Sequence, residues 1–187
     1  MHTVFLLVGR SASGKDSIAD ELVKRGYKKL KSYATRPRRV NEGDTHIFID
    51  ESEIYKYADR MVAHTRIGEY HYFATKEQLH ENDIYIIDPK GVAFMEFALS
   101  EYADTDIRTV VIYINQHERV RYLRARQRGD EKEKIIKRFM DENDQFEEFE
   151  RRREYDYAVT NNDLQKSVNF VEYIMLLETG EIANEEI

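Results

Sequence analysis

The sequence predicts an α/β fold built on a mostly parallel sheet, and three observations carry that expectation. Short apolar, β-branched runs alternate with segments of helix length, the rhythm of βαβ units. The first run ends in a glycine-rich turn, Gly9-Arg10-Ser11-Ala12-Ser13-Gly14-Lys15, with a helical pattern behind it. Residues 32–80 then break the rhythm with aromatic and β-branched fragments set among arginines, which reads as a small mixed insertion, partly antiparallel.

Each element follows from its local pattern. Val4–Val8 is a buried strand because it is short, apolar throughout and closed by glycine. Ser17–Lys24 is the helix after the turn, with Ile18, Leu22 and Ala19 on its inner face. Within the insertion, His46–Ile49 and Tyr70–Phe73 are the strand-like pieces. Ile84–Ile87 and Thr109–Ile114 are further apolar runs of strand length, and Tyr157–Thr160 is a weaker one. Helical patterns fill the remaining gaps: Gly91–Glu101, Glu118–Arg128, a long charged stretch over Glu131–Arg153, and Ser167–Leu177. The acidic end from Glu178 to Ile187 reads as a solvated tail. No repeat or low-complexity linker interrupts the 187 residues, so one domain with a substantial core is expected.

Composition narrows the function classes. A net charge of −7 argues against general nucleic-acid binding. No apolar run approaches the roughly 18 residues of a membrane helix, and VFLLV is too short for a signal-peptide core. With no cysteine, disulfides, a thiol nucleophile and a cysteine-bound metal are out; this fits the cytoplasm. The average charge hides basic clusters, five arginines between Arg119 and Arg128 and three at Arg36, Arg38 and Arg39. Basic clusters in an acidic chain suit a small, highly charged ligand better than a long polyanion.

Four constellations carry chemistry. The turn from Gly9 to Lys15 has the spacing of a phosphate-binding loop between strand and helix. Backbone N–H groups there converge on phosphate oxygens, and Lys15 adds a mobile positive charge. The hydroxyl residue normally next in that motif is replaced by Asp16, and a hydroxyl arrives only at Ser17. Second, Ser32-Tyr33-Ala34-Thr35-Arg36-Pro37-Arg38-Arg39, followed by Glu42 and His46, places arginines that could fork onto a second phosphate, or form a solvated basic loop. Third, Arg121, Arg124 and Arg128 share a helix face, with Arg138 ten residues beyond Arg128. They could stabilise a transferring phosphoryl group, or be neutralised by the acidic residues after Glu131. Fourth, Asp88 ends an apolar strand, where α/β folds place ligand-facing groups, though Pro89 and Gly91 equally suit a helix cap.

In this order the motifs resemble the guanylate kinase family of nucleoside monophosphate kinases, from about Val4 to Asp163. The resemblance implies a P-loop kinase core with a parallel sheet flanked by helices, a monophosphate-binding insertion and a helical lid. It implies core segments 1–31, 81–120 and 154–187, an insertion at 32–80 and a lid at 121–153. The activity implied is Mg²⁺-dependent transfer of the γ-phosphoryl of ATP to GMP, dGMP or a related (deoxy)nucleotide. The implied ATP site comprises Gly9, Ser11, Ala12, Ser13, Gly14, Lys15, Asp16, Ser17 and Asn161. Ser32, Arg36, Arg39, Glu42, His46, Tyr70 and Asp88 match positions for the acceptor monophosphate. Lys15, Arg124, Arg128 and Arg138 match cations at the transferring group, and Asp16, Ser17 and Asp88 the surroundings of the metal. The expected partners are ATP and the monophosphate alone, on a monomer or homodimer.

Three departures bear on specificity. The glutamate that reads guanine is replaced around Ala63, and the small hydroxyl residue after the tyrosine pair is Ala74. Asp16 gives Gly-Lys-Asp-Ser, similar to phage deoxynucleotide kinases and ribose bisphosphate phosphokinases. The alternatives are therefore a sugar-phosphate kinase of that second type, or a non-catalytic guanylate-kinase-like binding module.

Overall fold

The computed structural model describes residues 1–38, 43–101 and 106–182. Its core is a parallel sheet of β1 (His2–Val8), β6 (Ile84–Ile86), β7 (Ile107–Asn115) and β8 (Tyr157–Thr160), in the order β6-β1-β7-β8. β1 is central and in register with β7 from His2↔Ile107 to Val8↔Tyr113. Both of its faces are covered, which is why the run is apolar throughout and does not alternate. Val4, Leu6 and Val8 join Val92, Met95, Phe146 and Phe149 on one side; Phe5 and Leu7 join Ile18, Leu22, Val168 and Val171 on the other. The first side is closed by α3 (Pro89–Glu101) and the end of α5 (Lys132–Arg152), the second by α1 (Lys15–Lys24) and α6 (Leu164–Thr179).

The second sheet lies wholly within residues 32–80 and is mixed. It contains β2 (Tyr33–Ala34), β3 (Ile47–Phe48), β4 (Met61–Ile67) and β5 (Tyr70–Thr75), in the order β3-β2-β5-β4. β2 and β3 are parallel, while β5 runs antiparallel to both β2 and β4. β2 and β4 are the strands that sequence reasoning missed. Met-Val-Ala-His-Thr-Arg-Ile has two adjacent buried residues, Val62 and Ala63, at a register shift, so no period of two survives. Also unread were a 3₁₀ helix at Glu51–Tyr57 and the short α2 (Lys76–Glu81), each opened by a reciprocal capping box. Val62, Ala63, Ala74 and Leu79 belong to the same apolar cluster as Leu6, so the insertion shares one core with the main sheet.

The arginine-rich region forms α4 (Glu118–Gln127) and α5, broken between them at Gly129, whose φ is 89°. α5 buries Ile135, Glu142, Phe146 and Phe149 along one side. The chain's end corrects one expectation. Glu178 lies within α6, accepts from the Tyr157 hydroxyl and pairs with Arg108, and the helix ends at Thr179, capped by Gly180. Residues 183–187 of the expected tail lie outside the described part.

Candidate active site

The turn after β1 is shaped by its two glycines. Gly14 has φ 98° and caps α1; a Cβ there would lie 2.1 Å from Asn161 Nδ2. A Cβ on Gly9 would meet the Ile114 carbonyl at 2.6 Å and Ser13 Oγ at 2.7 Å. The loop can therefore press against β7 and β8 only without side chains at these points. Ala12 adopts φ 61°, and Ser13 N–H donates to the Arg10 carbonyl at 3.1 Å, which closes the turn. Ser13 is fully buried, and its hydroxyl has no partner among the described residues. Lys15 opens α1 with its side chain 18% exposed.

This loop faces a cleft of about 760 Å³ between the two sheets. Gly9, Ser11, Lys15 and Asp16 line it on the loop side; Ser32, Arg36, His46 and Tyr72 line it from the insertion. Arg36 is 7% exposed, donates from Nε to the Tyr72 hydroxyl at 3.0 Å and stacks over Phe48 at 5.1 Å. Ser32 Oγ is 2.9 Å from His46 Nδ1, and Ser32 also bonds the buried Tyr85 hydroxyl, whose pKa burial pushes well above the ordinary phenol range. A buried guanidinium with hydroxyl and imidazole neighbours has the chemistry to receive an anion. Tyr72 lines the cleft and Tyr70 does not: both are on one face of β5, but Tyr70 sits at the hairpin end. Arg39 and Glu42 lie outside the described residues.

The predicted cations separate by role. Arg138 lines the cleft from α5 and pairs with Asp130 at 3.3 Å. Lys134, one turn earlier on the same helix, and Lys137, next to Arg138, line it too; sequence reasoning did not single them out. Arg128 is 55% exposed, holds Asp130 at 3.1 Å and is off the lining. Arg124 is turned onto the loop's outer side, donating to the carbonyls of Ser13 at 2.9 Å and Asn161 at 2.8 Å. Burial lowers its pKa. Asn161, 2% exposed, donates from Nδ2 to the Ser13 carbonyl at 2.8 Å. Both residues thus brace the loop. Arg10 does so from the other side, gripping Glu150 of α5 through Nε at 2.8 Å and Nη2 at 3.1 Å.

The carboxylates fit a magnesium ion carried in with phosphates. Asp16 and Asp88 line the same cleft, and among the described residues no three His, Cys, Asp or Glu groups cluster. Mg²⁺ keeps most of its waters and takes only one or two carboxylates beside substrate phosphates, so a sparse donor set suits it. Asp88 Oδ1 accepts from Thr65 Oγ1 at 2.7 Å and from the Gly91 N–H at 2.8 Å. It caps the turn into α3 and faces the cleft at once, so the two readings of this residue were not exclusive. Ser17 is exposed on α1 and off the lining. A second cavity, of about 490 Å³, lies at the N-terminal ends of the strands beside His2, Asp83 and Arg108, away from the end where α/β sheets bind ligands.

Comparison with known proteins agrees with this geometry. The model of the AAA domain family matches residues 6–164. A guanylate kinase of Carboxydothermus hydrogenoformans is 30% identical, over 95% of this chain and 90% of its own. One from Mycoplasmoides gallisepticum is 25% identical, over 92% and 91%. Among solved structures, the crystal structure of guanylate kinase from Anaplasma phagocytophilum superposes with a TM-score of 0.64 at 17% identity, covering 98% of this chain and 88% of that one, a likeness of fold. The family model over residues 6–164 and relatives matched along nearly their whole length, one of them 30% identical, place the chain in the guanylate kinase family of P-loop phosphotransferases.

Proposed function

We propose that the protein is a Mg²⁺-dependent nucleoside monophosphate kinase, transferring the γ-phosphoryl of ATP to GMP, dGMP or a related (deoxy)nucleotide. The observation that carries this reading is the pairing of two anion sites across one cleft, the loop with Lys15 on one side and Arg36 with Tyr72, Ser32 and His46 on the other. Two phosphates held this way face each other, which converts transfer into an in-line displacement at fixed distance. The bond from the γ-phosphorus to ADP breaks as one forms to an acceptor phosphate oxygen. That oxygen is already largely ionised at neutral pH, so no general base is required.

In this reading residues 32–80 hold the acceptor and residues 121–153 close over the reaction. Lys15 and the loop amides hold the donor phosphates, and Lys137 and Arg138 offset charge on the transferring group. Mg²⁺, bound with ATP, would neutralise phosphate charge, with Asp16 and Asp88 as its protein-side oxygens, directly or through water. Lys15→Ala and Arg36→Ala should each lower kcat/KM at least about tenfold, since a charged transition-state contact is worth a few kcal/mol. Near wild-type values in either variant would sink the assignment.

One observation favours a second reading, a sugar-phosphate kinase. Ala63 and Ala74 face each other across β4 and β5, both buried, so neither position where guanine would be read offers a hydrogen bond. Against a purely binding module stands the cleft itself, which keeps Lys15 and Arg138.

A further inference from the structure

A carboxylate of the lid helix lies on the phosphate loop. Glu142, 8% exposed, accepts the Ser11 backbone N–H on Oε2 at 2.9 Å, and its Oε1 takes Arg121 Nη1 at 2.9 Å. Arg121, 3% exposed, donates also to the Ser11 carbonyl at 3.3 Å and stacks on Phe139 at 4.3 Å. Its Nε is buried without a partner among the described residues. Glu142 and Ser11 line the cleft together with Lys15, so this carboxylate takes up a backbone N–H of the turn at the cleft wall, the kind of donor that phosphate oxygens use.

An acid has no evident place here on packing grounds alone. A buried Arg–Glu pair is often no more stabilising than apolar residues of the same shape, so its retention is not explained by stability. It does supply an anion that a bare ring of loop N–H groups lacks. Resting on the kinase reading above, we propose that Glu142 is a resident occupant of the donor site, which ATP must displace from the Ser11 amide. Arg121 neutralises it in the resting enzyme and is left with an unpaired charge, beside the incoming phosphates, once Glu142 swings away. The donor site is thereby held shut by the lid's own charge, and affinity for ATP is set by competition between two anions.

The test is the Kd of ATP with Mg²⁺, measured by calorimetry without acceptor, for wild type, Glu142→Gln and Arg121→Gln. Glu142→Gln keeps the shape and an acceptor oxygen but removes the competing charge; ATP should bind at least about threefold tighter, as like-charge juxtaposition is relieved. Arg121→Gln leaves that charge uncompensated and should weaken ATP at least about threefold by the same Coulombic reasoning. GMP affinity should stay within about twofold in both, because the acceptor cradle lies across the cleft. If Glu142→Gln does not fold, Glu142→Asp draws the charge back by one methylene and should still tighten ATP. Equal or weaker ATP binding by the folded Glu142 variant overturns the inference and leaves the kinase reading standing. No ATP binding by any form overturns both.

Discussion

At the scale of single residues, what a side chain touches decides its role more than its charge does. Arg124 and Arg128 are one helical turn apart, and the sequence offers no way to rank them. Arg124 holds two carbonyls around the Gly9–Lys15 loop, while the exposed Arg128 side chain pairs, among the described residues, with Asp130. Hydrogen bonds from a charged donor are each worth about 1.5–3 kcal/mol, so Arg124→Met, which loses two, should lower the Tm by at least about 6 °C as well as slowing turnover. Arg128→Ala should leave the Tm within about 1 °C, as exposed ion pairs contribute little. Thermal melts of the two variants check this; equal shifts would refute the bracing role. The loop was legible because Gly9, Gly14 and Lys15 are dictated by backbone geometry and spacing. Tyr72 was not, because choosing between it and Tyr70 needs the position of the hairpin end, two residues away. Glu142 was invisible in principle, since its partner Ser11 is 131 residues distant.

At the scale of elements, strands buried on both faces were readable, while in the half-exposed hairpin β5 was read and β4 was not. β1 and β7 are nearly uninterrupted apolar runs, whereas β4 carries His64, Thr65 and Arg66 in succession. Those polar residues have partners that only the fold supplies. His64 Nε2 lies 2.8 Å from His71 Nδ1 with the rings stacked, and His64 packs edge-on to Phe94 of α3. Burial, and then the neighbouring His71, push the His64 pKa below its ordinary 6.5. The unfolded chain therefore takes up a proton at this site before the folded one does. Stability linked to His64 is complete above about pH 7.5 and is lost as pH falls through 6.5 toward the lowered folded value. The Tm should drop between pH 7.5 and 5.5, and His64→Gln should flatten that drop. A variant profile parallel to wild type would refute the assignment.

At the scale of the whole molecule, two sheets sharing one apolar cluster place the Gly9–Lys15 turn and the group of Arg36, Tyr72, Ser32 and His46 around one cleft, while α5 lines a third side. α5 is anchored at its C-terminal half by Phe146 and Phe149 in the core and by Glu150 on Arg10, while Lys134, Lys137 and Arg138 nearer its start face the cleft. Ligands that bind only the folded form should stabilise it by about 2.7 kcal/mol at a hundredfold excess over Kd. That is a Tm rise of roughly 5–10 °C with ATP and Mg²⁺, lost in Lys15→Ala. The alternation of strands and helices, and the order of the basic motifs, made this architecture legible in advance. The acceptor's identity was not legible, because Ala63 and Ala74 only remove hydrogen-bonding groups and put none in their place. The most direct measurement is acceptor-dependent ADP release, with GMP, dGMP, other nucleoside monophosphates and ribose bisphosphate each offered with ATP and Mg²⁺. The account predicts release, with the matching nucleoside diphosphate formed, for at least one nucleoside monophosphate. Release with ribose bisphosphate alone, or with no acceptor at all, would contradict it.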